Sequence, residues 1–185
     1  MQKKINFIAL AAGISSLLLI AISMFVPWWQ FTAGNPANVQ VNFSPVNFNL
    51  SHSGAAVAIP LILALNIACL LTLLASAIVM TIYAVQPAKP YSKQLLGFGY
   101  RKPLYTVVAF AAILIAIPLI VRAFAGFSLP VNGSATVTPS GSNGSAYVSA
   151  VLGWPFYFGI VVAGLCIASR LVHGKIIKPT PLPPP

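Results

Sequence analysis

The chain has 185 residues, of which 58% are hydrophobic and 5% are charged, and it contains ten Lys plus Arg but no Asp or Glu. A soluble domain carries roughly 25% charged residues, so a surface this poor in charge is expected to face lipid. The absence of carboxylates excludes paired-carboxylate catalysis, carboxylate metal sites and acidic proton relays.

Four apolar runs are long enough to cross a membrane, since each crossing needs about 20 apolar residues. The sequence predicts spans at about 5–26, 56–85, 103–124 and 151–172, within a single membrane domain covering residues 1–185. The first run is longer than the apolar region of about 7 to 15 residues in a signal peptide, so we interpret it as a retained span. The remaining segments are two outer loops, 31–55 and 125–150, an inner loop, 86–102, and a proline-rich cytoplasmic tail, 173–185.

The basic residues indicate the orientation of these spans. All of them except Arg122 lie before the first span, in the inner loop or near the end of the fourth span and beyond it. The positive-inside rule therefore predicts a multi-pass protein of the cell (plasma) membrane with both termini in the cytoplasm. The cations of the inner loop are expected to contact anionic lipids. Because the cations flank apolar segments and form no solvated stripe, we expect no nucleic-acid partner.

The two outer loops contain no charge and carry all the Asn-x-Ser/Thr sequons of the chain. Their asparagines are Asn42, Asn49, Asn132 and Asn143. The sequons fall on the side that the charge pattern independently assigns to the exterior, so the sequence predicts N-glycans at these positions.

An alternating pattern in the first outer loop predicts a β-hairpin. Polar and apolar residues alternate over 38–50 on both sides of Ser44-Pro45, with Asn42 and Asn49 on the solvent face. A lone hairpin is marginally stable in water, so we expect strands at 135–138 and 146–149 of the second loop to extend it. The expected fold is an all-α integral membrane four-helix bundle with a small extracellular antiparallel β-sheet formed by the two outer loops.

This order of elements is similar to the claudin-type tetraspan plan, in which a sheet built mainly from the first outer loop caps four helices. The claudin signature of a Trp followed by Gly-Leu-Trp and two loop cysteines is missing. Trp28 and Trp29 are adjacent, and Cys69 and Cys166 both fall inside spans. The resemblance therefore concerns topology only.

Small residues recur at helical spacing in two spans. They are Ala64, Ala68, Thr72 and Ser76 in the second span, and Gly159, Ala163, Gly164 and Ala168 in the fourth. Such spacing lets helices approach closely, either within the bundle or against a partner subunit. Trp28 and Trp29 are interpreted as part of an outer aromatic belt or as a lipid or partner contact. Arg122 is expected to reach lipid headgroups, or to contact an acidic partner, a lipid phosphate or a quinone-like carbonyl.

No arrangement of His, Cys and Ser suggests a catalytic, haem or zinc site, so we predict a chain that is not an enzyme and has no cofactor or metal. The preferred function is a non-catalytic accessory or structural subunit of a larger membrane protein complex, with a respiratory or oxidase complex as one host and other membrane subunits as partners. One alternative is a small homo-oligomeric channel or transporter, with Asn66, Thr72, Ser76 and a kink at Pro118 lining the path. Another is a claudin-like tetraspan cell-surface adhesion protein. Since loops without carboxylates resist acid, we also hypothesise an acid-dwelling, glycosylating archaeon as the source.

Overall fold

The computed structural model describes residues 5–34, 37–138 and 144–176. Asn143 and residues 177–185, which form most of the proline-rich tail, lie outside this part of the chain. Within it are four helices: α1 (Phe7–Phe25), α2 (Pro60–Val85), α3 (Ser92–Ala125) and α4 (Trp154–Ile176). All four are long and apolar enough to cross a membrane.

The helices form an antiparallel bundle in which α1 and α3 each pack against both α2 and α4. At one end of the bundle, buried polar groups join three of the helices. The Asn6 side chain accepts a hydrogen bond from the Ala9 amide (3.1 Å), which caps α1, and its Nδ2 donates to the Tyr83 hydroxyl (3.1 Å). That hydroxyl lies 2.7 Å from Nδ1 of His173 in α4. This network fixes the relative positions of α1, α2 and α4 at the end of the bundle away from the sheet.

Helix α3 begins eleven residues before the predicted span because it continues through Pro103. Proline has no backbone N–H, so the carbonyl of Gly99, four residues earlier, loses its helical donor. The hydroxyl of Ser76 in α2 donates to that carbonyl at 2.6 Å, and Ser76 is fully buried. Most of the predicted inner loop, 86–102, is therefore helical, since a neighbouring helix replaces the missing donor.

A six-stranded sheet covers the opposite end of the bundle. Its strands are β1 (Trp29–Ala33), β2 (Val39–Phe43), β3 (Phe48–His52), β4 (Ala55–Val57), β5 (Gly133–Val137) and β6 (Ala146–Leu152), in the order β4-β3-β2-β1-β6-β5. All neighbouring strands are antiparallel. The predicted antiparallel sheet is confirmed, with strands at the predicted places in both loops, but β1 and β4 were not predicted. Because β4 occupies 55–57, α2 starts at Pro60, and because β6 continues to Leu152, α4 starts at Trp154; both start later than the predicted spans at 56 and 151.

The β2–β3 hairpin is attached to the end of α1. The last carbonyls of a helix lack internal donors. The Ser44 hydroxyl donates to the carbonyl of Ser23 (2.8 Å), and Nδ2 of Asn47 donates to that of Met24 (2.9 Å). The turn of the hairpin thus supplies two of the hydrogen bonds that α1 needs at its end and fixes the sheet on the bundle.

Candidate functional site

An apolar groove with a volume of about 680 Å³ lies between the sheet, α2 and α3. We call it the α2–α3 groove. The sheet contributes apolar side chains of β1, β2 and β3, α2 contributes residues between Ile62 and Thr72, and α3 contributes residues between Lys102 and Ile117. Because α2 and α3 are both apolar enough to cross a membrane, lipid-soluble molecules are the ligands that such a groove suits.

Aromatic rings line the end of the groove next to the sheet. Trp29, Phe43, Phe48 and Phe110 all contribute to its wall. The Phe43 ring lies 5.7 Å from that of Phe48 and 4.9 Å from that of Phe110, measured between centroids. The indole N–H of Trp29 donates to the carbonyl of Val131 (2.8 Å), so this ring is held in place. These rings form a preorganised apolar surface.

Asn66 brings an amide into this otherwise apolar environment. Its side chain is 6% exposed and lines the groove. Among the described residues the amide makes no hydrogen bond, and its polar atoms are open to the groove, since the fully buried side-chain atoms without a partner are Oδ1 of Asn42 and Nε2 of His173. A polar group that faces an otherwise apolar pocket is the kind of group that orients a bound ligand through a hydrogen bond. Among the lining residues, Asn66 is therefore the strongest candidate for a ligand contact.

The other end of the groove carries Lys102 and Tyr105. The ammonium of Lys102 lies 5.3 Å from the centre of the Phe98 ring, over its face. Between the two ends, Oγ1 of Thr106 donates to the carbonyl of Lys102 (3.0 Å) and lies 3.9 Å from Sγ of Cys69. The polar groups along the groove are thus spread along its length, and the amide and the ammonium are well separated.

A second feature is the segment of α3 that extends past the ends of α1 and α4, residues 111–125, which we call the sheet-side segment. Trp28 packs against Phe110 of α3 and Phe156 of α4, with ring centroids 5.0 and 6.1 Å apart. Phe110 is therefore near the level at which α1 ends and α4 begins. From there α3 continues to Ala125, over about 22 Å at about 1.5 Å per residue.

The sheet-side segment is apolar and poorly covered. Ile115 is 61% exposed, Leu119 60% and Phe124 89%. Only 17% of the most apolar stretch of α3 is buried, compared with 39% of that of α1. Arg122 is exposed and is the only Lys or Arg side chain at the sheet end among those that the structure describes. The segment thus presents a large apolar surface with a single positive charge.

The sequon asparagines that the structure describes differ in their exposure to solvent. Asn42 and Asn49 are directly opposite each other on β2 and β3, where Cβ atoms are about 4.5–5.5 Å apart. Asn49 is exposed, whereas Oδ1 of Asn42 is buried and has no partner among the described residues. The sequon hydroxyl of Ser44 is also buried, 1% exposed. Asn132 is exposed, and its Oδ1 accepts a hydrogen bond from the Leu152 amide (3.3 Å).

The predicted small-residue positions divide into buried and exposed members. Ser76, Gly159 and Ala163 are buried, Thr72 and Ala168 are half-buried, and Ala64, Ala68 and Gly164 are exposed. A methyl carbon added to Gly159 would lie 2.8 Å from the Trp28 ring, whereas one added to Gly164 would meet nothing within 4 Å. The tryptophans expected at the boundary are instead buried: Trp28 is 1% and Trp29 4% exposed, because the first fills the end of the bundle and the second belongs to β1.

The groove was not predicted from the sequence, although one signal for it was present. Asn66 is an amide inside an apolar span, and from the sequence it is expected only as a lining residue of a channel path. Four helices that could cross a membrane and a six-stranded antiparallel sheet define a chain compatible with a multi-pass membrane protein. No family model matches the chain, and no curated protein matches its sequence.

Proposed function

We propose that this chain is a non-catalytic accessory subunit of a larger complex in the cell membrane, with a respiratory or oxidase complex as one host. The observation that carries the proposal is the sheet-side segment of α3, which extends beyond the ends of α1 and α4 and remains exposed.

The helices of the bundle differ greatly in length. The 19 residues of α1 span about 28 Å, which already matches a hydrocarbon core of about 30 Å. The 34 residues of α3 span about 51 Å. The sheet-side segment therefore continues for about 22 Å past the level at which α1 ends and α4 begins, where neither helix can cover it. Exposed apolar surface of this kind marks a protein contact, so we infer that a neighbouring subunit covers it.

Arg122 adds charge complementarity to this surface. The sequence contains no Asp or Glu with which Arg122 could pair. At the edge of an apolar contact, a guanidinium is stabilised by a carboxylate or phosphate on its partner. The subunit that covers the sheet-side segment should therefore place an acidic group opposite Arg122.

We further propose that the sheet end faces the exterior and that both termini lie in the cytoplasm. Lys89, Lys93 and Arg170 all lie toward the end of the bundle away from the sheet, which supports this orientation by the positive-inside rule. N-glycans on the sheet would then face the exterior, and anionic lipids would contact the opposite end.

The direct test is extraction of native membranes with a mild detergent, separation on a native gel, and mass spectrometry of every chain in the band. An accessory subunit should be recovered with unlike chains at a constant ratio. A band containing this chain alone would overturn the proposal, and a homo-oligomer that conducts in liposomes would favour the channel alternative.

Two matched variants locate the contact on α3. Leu119→Trp adds bulk to the sheet-side segment, whereas Val108→Trp adds the same bulk to an exposed position at the level of the bundle; the two residues are 60% and 57% exposed. We expect Leu119→Trp to reduce the recovery of partner chains and Val108→Trp to leave it unchanged. Equal recovery with both variants would place the contact elsewhere.

A further inference from the structure

The α2–α3 groove has the features of a binding site, and these features do not depend on the accessory role proposed above. Its wall is apolar and rich in aromatic rings, and Asn66, 6% exposed, supplies one amide that opens onto the groove and makes no hydrogen bond among the described residues. The amide can donate two hydrogen bonds and accept others. A molecule that fills the groove and satisfies Asn66 must therefore be apolar with a hydrogen-bonding group at one defined depth.

The depth of that group can be worked out from the contacts between α2 and α3. Cys69 is opposite Thr106, and Ser76 contacts Gly99, so the helices run antiparallel. Asn66 lies three residues from Cys69 toward the sheet, and Lys102 lies four residues from Thr106 in the opposite direction. At about 1.5 Å per residue, Asn66 and Lys102 are separated by about 10 Å along the groove.

This separation distinguishes two classes of lipid. A phospholipid with its phosphate at Lys102 would present only the hydrocarbon of an acyl chain at the level of Asn66, which would leave the amide unsatisfied. A lipid with a flat ring and a ring carbonyl can both hydrogen-bond the Asn66 amide and pack against the aromatic wall of the groove. The ring fits against Phe43, Phe48 and Phe110, which lie at the same end of the groove as Asn66. Offset or edge-to-face contacts between rings favour such an arrangement.

We propose that the α2–α3 groove binds an isoprenoid quinone. The amide of Asn66 donates a hydrogen bond to a ring carbonyl, the aromatic side chains hold the ring, and the isoprenoid chain follows α2 and α3 into the surrounding lipid. This is a binding site, and no electron transfer by the chain itself is involved.

The full chain, purified in detergent, is titrated with two short-chain probes, a benzoquinone and a naphthoquinone that each carry one isoprenoid unit. Binding is followed by quenching of tryptophan fluorescence, since Trp29 lies in the wall of the groove. We expect saturable quenching by at least one probe. Asn66→Leu should weaken its binding by about tenfold, the effect of losing one buried hydrogen bond. Because the amide is unpartnered, this variant should fold at least as stably as the wild type.

A second pair of variants tests the location. Ala109→Phe fills the groove, whereas Val108→Phe makes a similar change at the neighbouring, outward-facing position of α3. We expect Ala109→Phe to abolish saturable binding and Val108→Phe to preserve it. Quenching that is unsaturable, or equal in all variants, would overturn the proposal. The proposal would also be overturned if neither quinone binds and mass spectrometry finds a phospholipid on the wild-type protein that is absent from Ala109→Phe. None of these results depends on partner chains, so failure here and failure of the accessory role are distinguishable.

Discussion

The contact between Trp28 and Gly159 makes a stability prediction that can be tested with two glycines of the same helix. Glycine to alanine in a helix interior normally stabilises it by roughly 0.5–1 kcal/mol, because alanine loses less backbone entropy. Gly164→Ala should show this gain, since nothing lies within 4 Å of the added carbon. At Gly159 the added carbon would lie 2.8 Å from the Trp28 ring.

The Trp28 ring has little freedom to move away from that carbon. Its Nε1 donates to Oγ of Ser23 at 2.7 Å, and its faces and edges pack against Phe110 and Phe156. Overpacking of a rigid core costs about 1–3 kcal/mol. Gly159→Ala should therefore be less stable than Gly164→Ala by about that amount.

The assay is unfolding of the purified variants in one detergent, by denaturant or by heat, with tryptophan fluorescence as the probe. The quantity that matters is the difference between the two alanine variants, because it removes the general effect of alanine on helix stability. If Gly159→Ala proves as stable as Gly164→Ala, the Trp28 ring does not lie on Gly159, and the described packing at the end of the bundle is incorrect.

Three further predictions follow from other contacts. Ser76→Ala should lower the free energy of unfolding by about 1–3 kcal/mol because it leaves the buried carbonyl of Gly99 without a donor. In a Pro103→Ala background, which restores the helical donor, the same substitution should cost less. Equal costs in both backgrounds would refute the capping role of Ser76. If the sheet is glycosylated in its native cell, the exposed Asn49 should carry a glycan and the partly buried Asn42 should not. Asn49→Gln should therefore lower the intact mass by one glycan, and Asn42→Gln should leave the number of glycans unchanged. The reverse result would show that glycosylation precedes formation of the sheet. Arg122→Glu should reduce recovery of the partner chains in the native-gel experiment more than Arg122→Gln, whereas equal recovery would exclude an acidic group opposite this residue.

The sequence predicts some elements of the fold well because a simple physical period underlies them. Long apolar runs predict the four helices, and strict alternation around Ser44-Pro45 predicts β2 and β3. The strand β1 was missed because Trp28 and Trp29 were assigned to an aromatic belt. A pair of tryptophans at a span boundary is typical of such a belt, and only the pairing of β1 with β2 and β6 reveals a strand there.

The start of α3 could not be predicted from the sequence for a different reason. Lys102 and Pro103 suggest a boundary between loop and span, because a charge is costly in hydrocarbon and proline interrupts helical hydrogen bonding. The helix continues through them because Ser76, which is distant in sequence, supplies the missing donor. Local patterns carry no information about such a partner, and the groove itself escapes prediction for the same reason, since its wall comes from three β-strands and two helices.

Both proposals follow from one feature of the fold, the length of α3 relative to its neighbours. Phe110 packs against Phe43 of β2 and is therefore already at the level of the sheet, so the remaining residues of α3 continue past the ends of α1 and α4. On one side of this overhang, Ile113 and Ile117 line the α2–α3 groove together with residues of β2, β3 and α2. On the other side, apolar residues remain exposed. A subunit that covers the exposed side would therefore also lie next to a molecule bound in the groove, which is the arrangement expected if the chain holds a quinone beside a partner that uses it.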